Sequence, residues 1–226
     1  DGGFAYQGLK DSHGHIAALG KKLNGLDLTD CKSAEECAES ASKHKTTQGC
    51  WITGFGWNHE NWETKEYPHA EILDEYFPDI PVLLTRTDGH AVWVNTKAME
   101  LAGIKDAFQN PPGGEIIKDK AGRPAGVFVD NAIRLIKRHL PKPGGNEIKE
   151  NIIKAVNAFA EAGLTEVHDM DVNPDYLQIY KELDKEGKLK IRVKSFVRAQ
   201  SKEWLDRKVQ PKKFDLFSID GIKFFY

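Results

Sequence analysis

Two histidines two residues apart, His13 and His15, have the types and the spacing to do chemistry in this chain. In a β-strand, residues i and i+2 point to the same face, so both imidazoles can converge on one point. Two imidazoles supply half of a tetrahedral zinc site. Asp11 precedes the pair, and Gly14 leaves no side chain on the opposite face, where other backbone could pack closely. Taken alone, the pattern also fits two solvated loop histidines, so the prediction of a metal site depends on the rest of the chain.

Several motifs together resemble the amidohydrolase superfamily, and within it the amidohydrolase-3 branch of YtcJ-like metal-dependent hydrolases. The segment around the histidine pair, GLKDSHGH, is similar to the first-strand metal motif of that superfamily. Four later segments fit the same branch in the same order: TRTDGHAVWVN (85–95), PGGEI (112–116), GLTEVHD (163–169) and DGIKFF (220–225). The resemblance runs from about residue 6 to the last residue, and it implies roughly the N-terminal half of a catalytic domain.

The resemblance implies an α/β fold, namely a partial (β/α)8 TIM-like barrel of the metal-dependent hydrolase type with β-hairpin insertions. Residues 1–226 would form the incomplete barrel with its first strands only, and residues 51–140 would be an insertion that contains two hairpins. Barrel enzymes keep their chemistry at the C-terminal ends of the strands, where the first strand would present His13 and His15 as metal ligands. The expected cofactor is a divalent metal, preferably zinc, as one or two ions.

Lys223 lies among aromatic residues on a predicted strand. One interpretation is an edge-strand lysine that discourages aggregation. The other is a desolvated lysine with a lowered pKa, whose neutral amine reacts with carbon dioxide. In superfamily members that use a carboxylated lysine, the carbamate bridges two metals, so the resemblance implies that Lys223 is a metal ligand and a catalytic group.

Substrate contacts are predicted at Arg86, His90, His168 and Trp57. Arg86 and His90 flank a predicted hairpin turn and could meet across it, whereas Asp88 suits the turn itself. On the strand that contains His168, alternation places His168 and its neighbour Asp169 on opposite faces. Trp57 could form the wall of an apolar pocket, although an aromatic residue on a strand is more often part of the core.

Hydrophobic periodicity indicates alternating helices and strands. A capping box at Ser33 and Glu36 predicts the start of a helix that runs to residue 45. Turn signals predict hairpins at residues 81–95 and 115–129, and the proline- and glycine-rich stretch 141–145 indicates a linker. Further helices are predicted at residues 72–76, 96–102, 131–140, 147–162 and 174–186, and strands at residues 51–57, 164–170 and 189–197.

Composition excludes several classes of function. The net charge is −2 with interspersed acids and bases, which argues against a nucleic-acid or membrane-surface partner. No apolar run approaches the roughly 18 residues of a membrane span. Three cysteines in a chain of 226 residues favour reduced thiols and a cytoplasmic location, although Cys31 and Cys37 could pair in an exported protein.

These observations predict an amidohydrolase that cleaves a non-peptide carbon–nitrogen bond in a small-molecule substrate by metal-activated hydroxide. The alternative is a catalytically silent relative that binds a metabolite or a partner on the same fold. A third interpretation is a natural half-barrel whose homodimer buries the apolar segment 222–226. Because the chain stops within that apolar segment, and the remaining ligands and general base of the family match no segment here, we expect a fragment of a longer protein.

Overall fold

The computed structural model describes residues 3–44, 47–48, 50–104, 108–199 and 211–224. The chain divides into two compact units. The histidine unit comprises residues 1–24 and 144–226, and the hairpin unit comprises residues 25–143. The predicted linker at residues 141–145 therefore coincides with the boundary between the units.

The described strands are, in chain order, β1 (Leu9–Gly14), β2 (Leu26–Asp27), β3 (Thr47–Gln48), β4 (Trp51–Trp57), β5 (Val82–Arg86), β6 (Ala91–Val94), β7 (Gly114–Lys118), β8 (Pro124–Asp130), β9 (Leu164–Val172), β10 (Arg192–Arg198), β11 (Lys212–Lys213) and β12 (Phe217–Lys223). The described α-helices are α1 (Ile16–Asn24), α2 (Ala34–Lys43), α3 (Ala70–Asp74), α4 (Thr96–Leu101), α5 (Ile133–Lys137), α6 (Gly145–Glu161) and α7 (Leu177–Lys185).

The sheet of the histidine unit has the strand order β1-β9-β10-β12-β11. The first four of these strands are parallel, and β11 is antiparallel to β12. Helix α6 leads into β9, and α7 connects the parallel strands β9 and β10, which confirms the predicted strand–helix–strand pattern. One buried cluster joins sheet and helices, with Ile16, Ile152, Val167 and Tyr180 among its members.

The sheet of the hairpin unit is mixed, in the order β2-β4-β5-β6-β8-β7. Strands β5 and β6 form one antiparallel pair and β7 and β8 another, so both predicted hairpins are confirmed. The α/β class is therefore correct. The described residues form two open sheets, and the closed (β/α)8 barrel stays a prediction.

Most element boundaries agree with the sequence within a few residues, and the exceptions have local causes. Helix α2 begins after Ser33, whose side chain accepts from the backbone N–H of Glu36, as the capping box predicts. The helix predicted at residues 131–140 is shorter, because residue Asn131 turns back to donate its backbone N–H to Gly113. The helix predicted from residue 174 begins as a 3-10 turn, where the Asn173 side chain accepts from Asp175 N–H.

Two further observations concern the cysteines and the membrane. Cys31, Cys37 and Cys50 are all free thiols, and the first two are buried. Within the described ranges, every helix is too short or too polar to cross a lipid bilayer.

Candidate active site

The two histidines of the sequence motif lie side by side at the end of β1. His13 is on the strand, and His15 lies between the last residue of β1 and the first residue of α1. Their ring centroids are 5.4 Å apart, with the ring planes at 76°. Both residues are exposed. The structure therefore brings the two imidazoles together, as their spacing predicts.

Local backbone features produce this arrangement. The Asp11 carboxylate accepts a hydrogen bond from His13 N–H at 2.9 Å. The pairing of β1 with β9 shifts register between Asp11 and Gly14. Gly14 is buried, and a Cβ at this position would lie 2.8 Å from Cγ1 of Val167, which is too close for an unstrained contact. Glycine is thus required where the end of β1 packs against β9.

The ring of His15 is oriented by the backbone of β9. Its Nδ1 lies 2.8 Å from the carbonyl oxygen of Met170. A carbonyl oxygen can only accept a hydrogen bond, so Nδ1 must carry a proton, and in the neutral ring Nε2 then holds the free lone pair. Metal-binding histidines commonly donate their second ring nitrogen to a carbonyl in this way. His15 is therefore prepared to bind a metal through Nε2.

A buried carboxylate, Asp169, lies directly behind the histidine motif. One of its oxygens accepts from the backbone N–H of Ile16 at 2.9 Å, and the other accepts from the Tyr180 hydroxyl at 2.6 Å. Burial raises the pKa of Asp169 to about 6, against the opposing effect of these two hydrogen bonds. Burial, together with the adjacent carboxylate, raises the pKa of Tyr180 well above its ordinary value. Sequence reasoning placed Asp169 opposite His168 but assigned it no role.

His168 lies on the other face of β9, beside the buried Glu166. Its Nε2 is 3.3 Å from a carboxylate oxygen of Glu166. Lys194, Arg192 and Lys10 also pair with Glu166, at 3.2, 3.1 and 3.5 Å. Burial by itself raises the pKa of Glu166, but the hydrogen bonds from Lys194, Arg192 and His168 outweigh it and lower the pKa to about 2. Glu166 is therefore ionised at neutral pH and holds three cationic side chains on this face of the sheet.

Lys223 is the last residue of β12 and is half-buried. It pairs in register with Arg198 of β10, and its carbonyl oxygen accepts from Ala199 N–H at 2.9 Å. The strand that contains it runs parallel to β10. Among the residues that the structure describes, no three His, Cys, Asp or Glu side chains form a group that could hold a metal. Ligation by Lys223 and its carboxylation stay predictions.

In the hairpin unit, Asp88 organises the turn between β5 and β6. The Arg86 guanidinium donates to both Asp88 carboxylate oxygens, at 3.0 and 2.8 Å, and also to the Tyr67 hydroxyl at 3.2 Å. The hydrogen bond from Arg86 is the main cause of the lowered pKa of Asp88. Asp88 also accepts from His90 N–H at 2.9 Å, and the His90 ring pairs with Asp130 at 2.8 Å. Arg86 and His90 are thus both held by Asp88.

Trp57 and His59 are buried close to this turn. Trp57 has no exposed surface and donates through its indole N–H to the Leu84 carbonyl at 2.9 Å, as a core residue does. His59, which sequence reasoning missed, stacks on Tyr67 with ring centroids 4.2 Å apart. Its buried Nδ1 makes no hydrogen bond to the described part of the chain, and burial lowers its pKa. Contact of Trp57 with a substrate stays a prediction.

Comparison with known proteins gives similar sequences along the whole chain. The profile of the amidohydrolase family matches residues 1–226. The putative amidohydrolase YtcJ of Bacillus subtilis is 34% identical over 175 residues, which are 76% of this chain and 33% of that protein. Protein LONG AFTER FAR-RED 3 of Arabidopsis thaliana is 32% identical over 75% of this chain and 29% of its own length. N-substituted formamide deformylase of Arthrobacter pascens is 26% identical over 80% of this chain and 35% of its own length. The chain therefore spans about a third of these relatives.

Two crystal structures, both described as uncharacterized metal-dependent hydrolases, share the fold. The one from Pyrococcus horikoshii OT3 superposes with a TM-score of 0.71 over 95% of this chain and 41% of its own, at 25% identity. The one from Pyrococcus furiosus has a TM-score of 0.70 over 95% of this chain and 43% of its own, also at 25% identity.

Proposed function

Because this chain belongs to the amidohydrolase family, we propose that it contributes the first strands of a divalent-metal-dependent hydrolase. The bond cleaved would be a carbon–nitrogen bond other than a standard peptide bond. The names of two relatives, an amidohydrolase and an N-substituted formamide deformylase, support this bond class. An amide, a formamide, a ureido compound or a cyclic amide would suit such a site, so the partner would be a small molecule.

The histidine pair is the observation that supports the proposal most directly. His13 and His15 are exposed and adjacent, and the hydrogen bond from His15 Nδ1 to Met170 leaves Nε2 available as a ligand. Imidazole donors of this kind fit zinc and related divalent ions. The two residues would supply part of a ligand set for one or two ions, and a carboxylated Lys223 would be a further ligand.

A bound divalent ion would lower the pKa of a water ligand towards about 7 and polarise the scissile carbonyl. Carboxylation of Lys223 would form a bond between Nζ and the carbon of carbon dioxide and release the proton that this bond displaces, which leaves a carbamate with a single negative charge. His168 would contact the substrate from the face of β9 that also carries Glu166. Contact of Arg86, His90 and Trp57 with the substrate stays a prediction from the sequence.

The proposal also includes a cellular location and an oligomeric state. Cys31 and Cys37 are buried free thiols, which are typical of a reducing compartment and support a cytoplasmic location. We also propose a homodimer, which the apolar segment 222–226 favours.

The decisive experiment measures metal content by elemental mass spectrometry on the full-length protein, purified without chelators and resupplied with zinc. We expect one or two equivalents, lost in the double variant His13→Ala/His15→Ala. His139→Ala, which removes an exposed histidine from the hairpin unit, is the matched control and should retain the metal. Absence of metal from the unaltered protein would contradict the proposal and favour a catalytically silent binding protein on the same fold.

A further inference from the structure

We propose that Asp169, held in place by Tyr180, is a positioning residue for the metal ligand His15. The inference rests on the proposed function, because it concerns how the chain presents one ligand of that site. It assigns a role to two buried residues that lie outside the histidine motif, on β9 and α7.

The first step is the backbone next to His15. Asp169 accepts a hydrogen bond from the N–H of Ile16, the first residue of α1, at 2.9 Å. The N–H groups of the first helical turn have no partner within the helix, and a side-chain oxygen commonly satisfies one of them. Here that oxygen comes from β9, which is distant in sequence. The carbonyl of His15 accepts from Leu19 N–H at 2.9 Å, so both polar atoms of the peptide group that joins His15 to Ile16 are hydrogen-bonded.

The second step is the His15 ring. Met170, the residue after Asp169, supplies the carbonyl oxygen that lies 2.8 Å from Nδ1 of His15. Two consecutive residues of β9 therefore control the same ligand. Asp169 fixes the backbone and Met170 fixes the ring tautomer. If the backbone moves, the ring loses its carbonyl partner, so the two contacts depend on each other.

The third step is the fixation of Asp169 itself. Its second carboxylate oxygen accepts from the Tyr180 hydroxyl at 2.6 Å. Tyr180 has no exposed surface, and its ring stacks on Phe217 with centroids 5.1 Å apart and planes 7° from parallel. A buried carboxylate is tolerated only where donors satisfy its oxygens, and these two donors set its orientation. Asp169 is buried on the face opposite His168, where it contacts α1 and α7, so its role is exerted through the backbone next to His15.

The test compares four variants of the full-length protein by zinc affinity, measured in competition with a chromophoric chelator. Asp169→Ala removes both hydrogen bonds and should weaken zinc binding by about 10- to 100-fold, as loss of a residue supporting a metal ligand typically does. Asp169→Asn keeps an oxygen for Ile16 N–H and should recover most of the affinity. Tyr180→Phe keeps the stacked ring and should give a loss between these two.

Leu183→Ala is the control for a general loss of stability. Leu183 is fully buried on α7 in the same core cluster, and its side chain has no group that could form a hydrogen bond. We expect it to lower the melting temperature at least as much as Asp169→Ala, with zinc affinity unchanged. Equal zinc affinities for Asp169→Ala and Leu183→Ala would overturn the positioning role.

A measurement on the metal-free protein separates this inference from the proposed function. In nitrogen-15 NMR of histidine-labelled protein, we expect His15 in the Nδ1–H tautomer, and a tautomer mixture in Asp169→Ala. An unchanged tautomer in that variant would overturn the positioning role. Loss of the tautomer in a protein that binds no zinc at all would instead contradict the proposed function and leave the positioning of His15 supported.

Discussion

Each of the two units buries a polar side chain that joins separate segments, and the two side chains differ in what they hold. In the hairpin unit, Asn95 has no exposed surface. Its oxygen accepts from the N–H groups of Val82 and Ala98, and its nitrogen donates to the carbonyls of Phe77 and Ile80. All four partners are backbone groups, so Asn95 stabilises the fold around β5 and α4.

In the histidine unit, the Asp169 carboxylate accepts two hydrogen bonds from the described residues, and one of the donors is the N–H of Ile16, directly after His15. The residue that it positions has a ring nitrogen with a free lone pair, whereas the groups held by Asn95 are fully satisfied by the fold. The two buried side chains therefore differ in that the residue beside Asp169 retains a ring nitrogen that can bind a ligand.

The largest expected effect tests whether the hairpin unit uses its aromatic residues for packing. Trp57→Ala should reduce the free energy of unfolding by about 3–5 kcal/mol, because it leaves a cavity beside Trp62 and Trp93. Chemical denaturation of the full-length protein measures this. Trp57→Phe should retain much of the stability. If Trp57→Ala instead left stability intact and raised KM, Trp57 would belong to a substrate pocket.

A smaller effect is expected at Glu166, which serves as the ion-pairing centre of the histidine unit. Glu166→Gln should lower the free energy of unfolding by about 2 kcal/mol at pH 7, because three cationic side chains lose their buried carboxylate. The pKa of Glu166 is about 2 in the folded protein and 4.5 ordinarily. Its stabilisation is therefore complete above about pH 4.5 and disappears as the pH falls towards 2.

Denaturation curves recorded between pH 7 and pH 2 check this dependence. Glu186→Gln is the matched control, since Glu186 also has a pKa lowered to about 2, by Lys149 and Lys188, but is exposed. We expect a smaller loss at pH 7 for the control. A difference between the unaltered protein and Glu166→Gln that stayed constant down to pH 2 would contradict the ionised pairing.

The smallest effect on stability is expected at His90. Its ring and its partner Asp130 are both exposed, and exposed ion pairs contribute little, so His90→Ala should change the free energy of unfolding by less than about 1 kcal/mol. If the turn contacts the substrate, kcat/KM should still fall at least tenfold, roughly 1.4 kcal/mol of transition-state stabilisation. His139→Ala should leave kcat/KM unchanged. An equally small effect of both variants on kcat/KM would remove His90 from the substrate site.

Local signals in the sequence predicted much of the fold. The Ser33 capping box, the Asp88-Gly89 turn and the apolar spacing of α6 each depend on residues a few positions apart, and each is confirmed. The proximity of His13 and His15 was predictable from their spacing of two residues, although His15 lies one residue beyond the end of β1. Alternation along β9 correctly separated His168 from Asp169.

Contacts between distant segments could not be predicted from such signals. Residue types and short-range spacing determined the candidate ligands, the turns and the amphipathic helix. Only the tertiary structure decided that Met170 orients the His15 ring and that Asp169 and Tyr180 form a hydrogen bond behind it. It also decided that Glu166 forms ion pairs with cationic side chains of β1 and β10. These contacts join residues up to 156 positions apart, and their geometry depends on strand register and helix packing, which a local pattern does not encode.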